Sequence, residues 1–148
     1  MRYAVAPRRA GRAPELDDPE VLEWIGRFIG RLHAVGGRRP FVHRRRIDPA
    51  TLGSAPREWL LRHGGLPDGE RERWADASQQ ALAAAAAAFE SLPALRSIRL
   101  HGDCHPGNLL WTPDGPHFVD LDDTATGPAV QDLWMLLPGD AQASRAAL

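Results

Sequence analysis

The sequence predicts an α+β fold, mostly helical, with a short β-hairpin in its last third. Three observations carry that reading. Val21, Ile25, Phe28 and Leu32 recur at helical spacing, with Leu22 and Ile29 widening the apolar stripe. Glu70 to Leu92 is rich in strong helix formers and carries Trp74, Leu82 and Phe89 as apolar anchors around the Ala83–Ala88 run. Two short apolar runs, Leu109–Trp111 and His117–Leu121, flank Thr112-Pro113-Asp114-Gly115, a strong turn sequence. At 148 residues and 43% apolar composition, the chain suits one globular domain and not a disordered segment.

The elements follow in order. Tyr3-Ala4-Val5-Ala6 reads as a short strand ended by Pro7. Asp17-Asp18-Pro19-Glu20 starts the first helix: aspartate for the cap, proline in the first turn, acids at the positive end of the dipole. Gly36-Gly37 ends it, and His33 in its last turn reads as structural. Pro40 to Ser54 reads as an irregular connector, Pro56 to His63 as a short helix broken by Gly64-Gly65. After Pro93, Ile98-Arg99-Leu100 forms a strand leading into the loop His101–Asn108 and then the hairpin. Ala129 to Leu137 reads as a further helix, closed by Pro138-Gly139.

Composition narrows the chemistry. All 18 basic residues are arginines, so no mechanism that needs a Schiff-base lysine or a phosphate-gripping lysine is complete within this chain. One cysteine rules out an internal disulfide framework. No apolar run is long enough for a signal-peptide core or a membrane span, so no membrane partner is expected. Charge falls in blocks: Met1–Arg46 holds 11 arginines against five acids, and Arg99–Asp140 holds seven aspartates against one arginine. The clusters Arg8-Arg9, Arg38-Arg39 and Arg44-Arg45-Arg46 have no interleaved aromatic platform and read as a solvated face, so no nucleic acid is expected.

The acidic block is where chemistry concentrates. Asp103 and Asn108 share one loop, and the hairpin brings Asp120 back toward it. Neutral and charged oxygen ligands in combination suit magnesium, which commonly bridges carboxylates to substrate phosphates. Asp103 can orient an attacking hydroxyl or accept its proton. As a zinc site, His101, Asp103, Cys104 and His105 are too close in sequence to wrap one ion, and there is no second cysteine. Cys104 lacks a defined base and orienter, and no Gly-x-Ser-x-Gly elbow exists. Asp and Asn also favour turns, but their joint arrangement across loop and hairpin points to a site.

The string His101-Gly102-Asp103-Cys104-His105-Pro106-Gly107-Asn108 resembles the catalytic-loop motif of the aminoglycoside phosphotransferase and choline kinase superfamily, which shares the protein-kinase-like fold. Phe118-Val119-Asp120-Leu121-Asp122-Asp123 and Gly127–Met135 resemble a bacterial serine/threonine kinase branch of it, and Gly26–His33 does so more weakly. The resemblance implies that Asp103 is the catalytic aspartate, and that Asn108 and Asp120 bind magnesium and, through it, ATP. It implies that Asp132 braces the loop backbone, that His101 supports the loop through hydrogen bonding, and that His105 packs within it. Asp122 and Asp123 are weaker candidates for metal or substrate contact.

The same resemblance implies a partial carboxy-terminal lobe: residues 1–13 hinge-like, 14–97 helical, 98–140 carrying catalytic loop, metal-binding hairpin and following helix, with the amino-terminal lobe and its lysine missing. Phosphoryl transfer from ATP to protein serine or threonine hydroxyls in a stress response is expected of a full-length parent, in the cytoplasm, with the isolated chain weak or inactive. Two other readings stay open: a fragment of a small-molecule kinase acting on an aminoglycoside, choline or sugar, and a non-catalytic partner-binding remnant. Self-association through surfaces exposed by truncation is a further expectation.

Overall fold

The computed structural model describes residues 5–67, 69–92 and 94–137. It is mixed α/β and mostly helical, as expected. Helix α1 (Pro19–Gly36) is followed by α2 (Ala55–His63) and α3 (Arg71–Glu90), then by four short strands: β1 (Ser97–Leu100), β2 (Leu109–Thr112), β3 (Gly115–Phe118) and β4 (Ala125–Pro128). The strands form two antiparallel pairs, β1 with β4 and β2 with β3.

Helix α1 starts where Asp18 accepts a hydrogen bond from the Glu20 N–H at 2.9 Å, with Pro19 in the first turn. Its buried stripe is Val21, Ile25 and Ile29, one residue every four. Each such side chain contributes roughly 1.5–3 kcal/mol on burial. They pack with Cys104, Leu109 and Leu136, while Leu16, Trp111, Phe118 and Leu133 close the cluster from its rim. Phe28 is half-buried and Leu32 exposed, so the face turns away from the core before the helix ends. At Gly36 a Cβ would fall 2.2 Å from the Arg99 carbonyl oxygen, so only glycine lets α1 approach β1 this closely.

Helices α2 and α3 pack on each other with no fully buried residue. Arg57 staples them: its Nε donates to Ser78 Oγ at 2.9 Å and its Nη2 to the Ala75 carbonyl at 3.0 Å. Trp74, Leu82 and Phe89 are half-buried, as the anchor reading expects. The connector before α2 is less irregular than expected. Ala50–Ser54 forms a π-turn, and Asp48 accepts the Thr51 N–H at 2.7 Å near its start. That backbone hydrogen bond, with Arg46 alongside, lowers the Asp48 carboxyl pKa from its ordinary value.

Several sequence expectations need correction. Of the expected first strand, Tyr3 and Ala4 lie outside the described residues, and Val5–Pro7 are exposed coil. The second hairpin strand stops at Phe118 instead of Leu121, because Asp120 adopts the left-handed conformation, φ 59° and ψ 69°, and ends the extended run. The helix expected over Ala129–Leu137 is instead two 3₁₀ turns, Ala129–Asp132 and Trp134–Leu136. The tight turn swings Asp132 inward, and Val130 and Trp134 stay exposed, so the apolar periodicity there marks no single buried face. Pro138 and Gly139 lie outside the described residues.

Strand β4 was not anticipated. Ala125-Thr126-Gly127-Pro128 has little strand propensity, yet all four residues are buried. It is held on both sides. Ser97–Leu100 pairs along one edge, and on the other the Ile47 N–H donates to Thr126 O at 2.8 Å while the Thr126 N–H donates to Arg45 O at 3.0 Å. A Cβ on Gly127 would stand 2.8 Å from Ile47 Cβ, so the weak strand former is what allows the connector to close on the sheet. Among the described residues, no helix is long and apolar enough to cross a membrane.

One buried carboxylate joins three parts of this fold. Asp132, fully buried, accepts the His101 N–H at 3.0 Å, the Gly102 N–H at 2.8 Å and a hydrogen bond from His33 Nε2 at 2.9 Å. Asp132→Asn keeps the volume but turns an amide N–H toward a backbone N–H. The expected cost is about 3 kcal/mol, read as a lower urea midpoint at unchanged slope; a loss under about 1 kcal/mol contradicts the bracing role.

The thiol beneath the loop gives a second prediction. Burial pushes Cys104 up from 9.0 to about 12, with the charges of Asp132 and Asp103 adding to the effect. The folded state therefore keeps its proton longer than the unfolded chain. The stability this contributes is full below pH 9 and declines between pH 9 and about 12, by about 1.4 kcal/mol per pH unit. Urea midpoints at pH 8 and 10 should fall further for the native chain than for Cys104→Ala; an equal fall in both overturns the assignment.

Candidate active site

The loop from His101 to Asn108 is shaped before any ligand is considered. Gly102 has φ +89°, and a Cβ there would fall 2.2 Å from the Asp123 carbonyl oxygen. Glycine is required both for the turn and for the approach of the strand-to-turn segment after Asp120. Gln131 Nε2 donates to the Gly102 carbonyl at 3.2 Å, so both sides of this peptide are held from the turn that carries Asp132.

His101 is buried and spans the loop. Its Nε2–H donates to the Val119 carbonyl at 2.8 Å, and Nδ1 lies 3.4 Å from the Asp103 N–H. His105 caps the 3₁₀ turn Pro106–Asn108 by accepting the Gly107 N–H on Nδ1 at 3.0 Å, and its Nε2 lies 3.5 Å from Asp103 Oδ2. Both histidines therefore order the loop.

The structure brings two of the three candidate residues into direct contact. Asn108 Nδ2 donates to the Asp103 carbonyl at 2.9 Å and to Asp103 Oδ2 at 3.1 Å. Asn108 is buried and Asp103 half-buried. This orientation leaves Asn108 Oδ1 and Asp103 Oδ1 without a protein partner among the described residues. Asp120 arrives from the other direction. Val119 donates its N–H to Asn108 O at 3.0 Å and accepts from His101, so the residue before Asp120 is tied at both ends to the loop. No hydrogen bond joins Asp120 itself to Asp103 or Asn108 among the described residues. Its carboxylate is exposed, at the head of the 3₁₀ turn Leu121–Asp123.

The donor set suits magnesium: a neutral amide oxygen on Asn108 and exposed carboxylate oxygens on Asp120. Among the described residues, no three His, Cys, Asp or Glu side chains converge to hold a metal. Asn108 and Asp120 are the side chains here whose oxygens would suit a magnesium ion.

Asp122 and Asp123 have other neighbours. Arg44 Nη1 donates to the Asp122 carbonyl at 2.6 Å, and Arg45 Nη2 pairs with Asp123 Oδ1 at 2.6 Å. Sequence reasoning treated these arginines as a solvated face and missed that they lie on the acidic string. The opposite balances of the two halves were the available signal. His33 was read as structural, and its partner, Asp132, is 99 residues away in sequence.

Comparison with known proteins gives the family of the chain. The chain matches the phosphotransferase enzyme family over residues 1–147. Stress response kinase A of Salmonella choleraesuis is 43% identical to it over 143 residues, covering 97% of this chain and 43% of the relative. The serine/threonine protein kinase RdoA of Salmonella typhimurium matches at the same identity and coverage. Stress response kinase A of Escherichia coli is 42% identical over the same length. The chain thus spans 43% of the length of these curated relatives. The chain belongs to the phosphotransferase enzyme family.

Proposed function

We propose that this chain carries the phosphoryl-transfer face of a cytoplasmic stress-response kinase that moves the ATP γ-phosphate to serine or threonine hydroxyls of proteins. The observation that carries this reading is the Asn108–Asp103 contact at 3.1 Å, with Val119, the residue before Asp120, hydrogen-bonded to Asn108. The relative from Salmonella typhimurium is a serine/threonine protein kinase, which favours protein hydroxyls over small alcohols.

Asp103 holds one carboxylate oxygen on Asn108 and presents the other to the incoming hydroxyl, orienting it and taking its proton as the new bond to the γ-phosphorus forms and the bond to the bridging oxygen breaks, releasing ADP. Asn108 Oδ1 and the Asp120 carboxylate hold magnesium. When bound, magnesium neutralises charge on the transferring and leaving phosphates. Phosphoryl transfer is mostly positioning and charge stabilisation, so these three side chains suffice for one side of the site. The arginine-only chain offers no lysine for the phosphates, and misplacement by about 1 Å costs on the order of 10²-fold in rate. The isolated 148 residues are therefore weak or inactive as a catalyst.

Calorimetry of magnesium with ATP tests the metal site. Saturable, magnesium-dependent binding that disappears in Asp120→Ala supports it; a folded chain that binds no nucleotide sinks it. The catalytic assignment is tested in a longer chain that phosphorylates serine peptides. There Asp103→Asn should lower kcat by about 10²–10⁴-fold at unchanged KM for ATP, and a kcat within about twofold of the native value overturns the role.

A further inference from the structure

A second recess lies at the far end of the β2–β3 hairpin from the loop. It encloses about 530 Å³ and is lined in part by Arg8, Arg9, Phe28, Thr112, Asp114 and His117. Its origin is a backbone contact. Arg12 and Trp111 exchange both main-chain hydrogen bonds, at 3.0 and 2.7 Å, in antiparallel sense. Tracing the chain back from Arg12 therefore leads toward Thr112 and the turn, which leaves Arg8 and Arg9 lining the same recess as Asp114. Phe28 of α1 forms an apolar wall, and the Arg31 guanidinium stands 4.9 Å from its ring centroid.

Charge distinguishes this recess. Arg12, Arg27, Arg45, Arg46, Arg62 and Arg73 each pair with a carboxylate. Arg8, Arg9 and Arg31 have no carboxylate partner among the described residues. The recess is lined by two guanidinium groups, Arg8 and Arg9, and the His117 ring against one carboxylate, Asp114. Guanidinium forks match carboxylates bidentately, and a cleft with an excess of one sign of charge attracts ligands of the other.

We propose that this cleft docks an acidic stretch of the protein substrate, a reading that rests on the protein-kinase function only for the word substrate. Asn108 directly precedes β2, whose four residues separate the cleft from the phosphoryl-transfer loop by about 13 Å at ~3.3 Å per residue. The acidic stretch consequently lies at least four extended residues from the acceptor hydroxyl, and docking and chemistry do not compete for space.

The test is fluorescence anisotropy of a fluorescein-labelled peptide of alternating aspartate and glutamate, titrated with the 148-residue chain at low salt. The control peptide carries asparagine and glutamine instead. The acidic peptide should bind and the control should not. Arg8→Ala/Arg9→Ala should weaken binding tenfold or more, while Arg38→Ala/Arg39→Ala, an exposed basic pair elsewhere, should change it less than twofold. Equal losses in the two double variants overturn the site, as does tighter binding of a single-stranded oligonucleotide of the same charge. Magnesium–ATP calorimetry on the same preparation separates the two readings. Nucleotide binding without peptide binding sinks docking alone; peptide binding without nucleotide leaves an acidic-peptide cleft and sinks the kinase site.

Discussion

Everything in the candidate site depends on one buried carboxylate. Asp132 reaches two consecutive backbone N–H groups of the His101–Asn108 loop and the imidazole of His33 on α1. Buried polar groups of this kind cost several kcal/mol unless fully satisfied, and here the carboxylate has three donors. It therefore sets the position of His101 and Gly102 relative to the helix. His101 passes that position on to Val119, and Val119 to Asp120. Loop, hairpin and helix are thus referenced to a single atom group, so the separation of Asp103 from Asp120 is not left to loop flexibility.

Hydrophobic burial and polar bracing divide the labour. The apolar cluster of Val21, Ile25, Ile29, Leu109 and Leu136 holds α1 against the hairpin and the carboxy-terminal turns but specifies no direction within the loop. Direction comes from the hydrogen bonds above it. The acidic string after Asp120 is steadied differently, by Arg44 and Arg45 from the connector. These exposed contacts are individually weak. Their effect comes from the backbone pairing of Arg45 and Ile47 with Thr126, which holds the connector beside the sheet.

Much of this was legible in the sequence. The caps and period of α1, the anchors of α3, the turn at Pro113-Asp114 and the candidate residues Asp103, Asn108 and Asp120 follow from local chemistry. What was not legible depends on distant partners. Strand β4 has three residues of four, Ala125, Gly127 and Pro128, that avoid strands, and it is held because β1 and the connector pair with both its edges. The helix read after Pro128 gave way to 3₁₀ turns because the inward position of Asp132 outweighs local periodicity. His33 looked like a residue at ease near a helix terminus, and only the fold shows that it answers a carboxylate at the other end of the chain.

The left-handed backbone of Asp120 has a consequence for which residues can occupy the position. It is the sole residue other than glycine with positive φ among those described, a conformation that short polar side chains tolerate and larger ones resist. Glycine relaxes the backbone and discards the carboxylate. Glutamate keeps the charge but brings a longer chain into a conformation it disfavours, and asparagine fits while giving up the charge. The backbone at this position therefore admits aspartate, asparagine or glycine, and of these aspartate alone carries a charge into the turn.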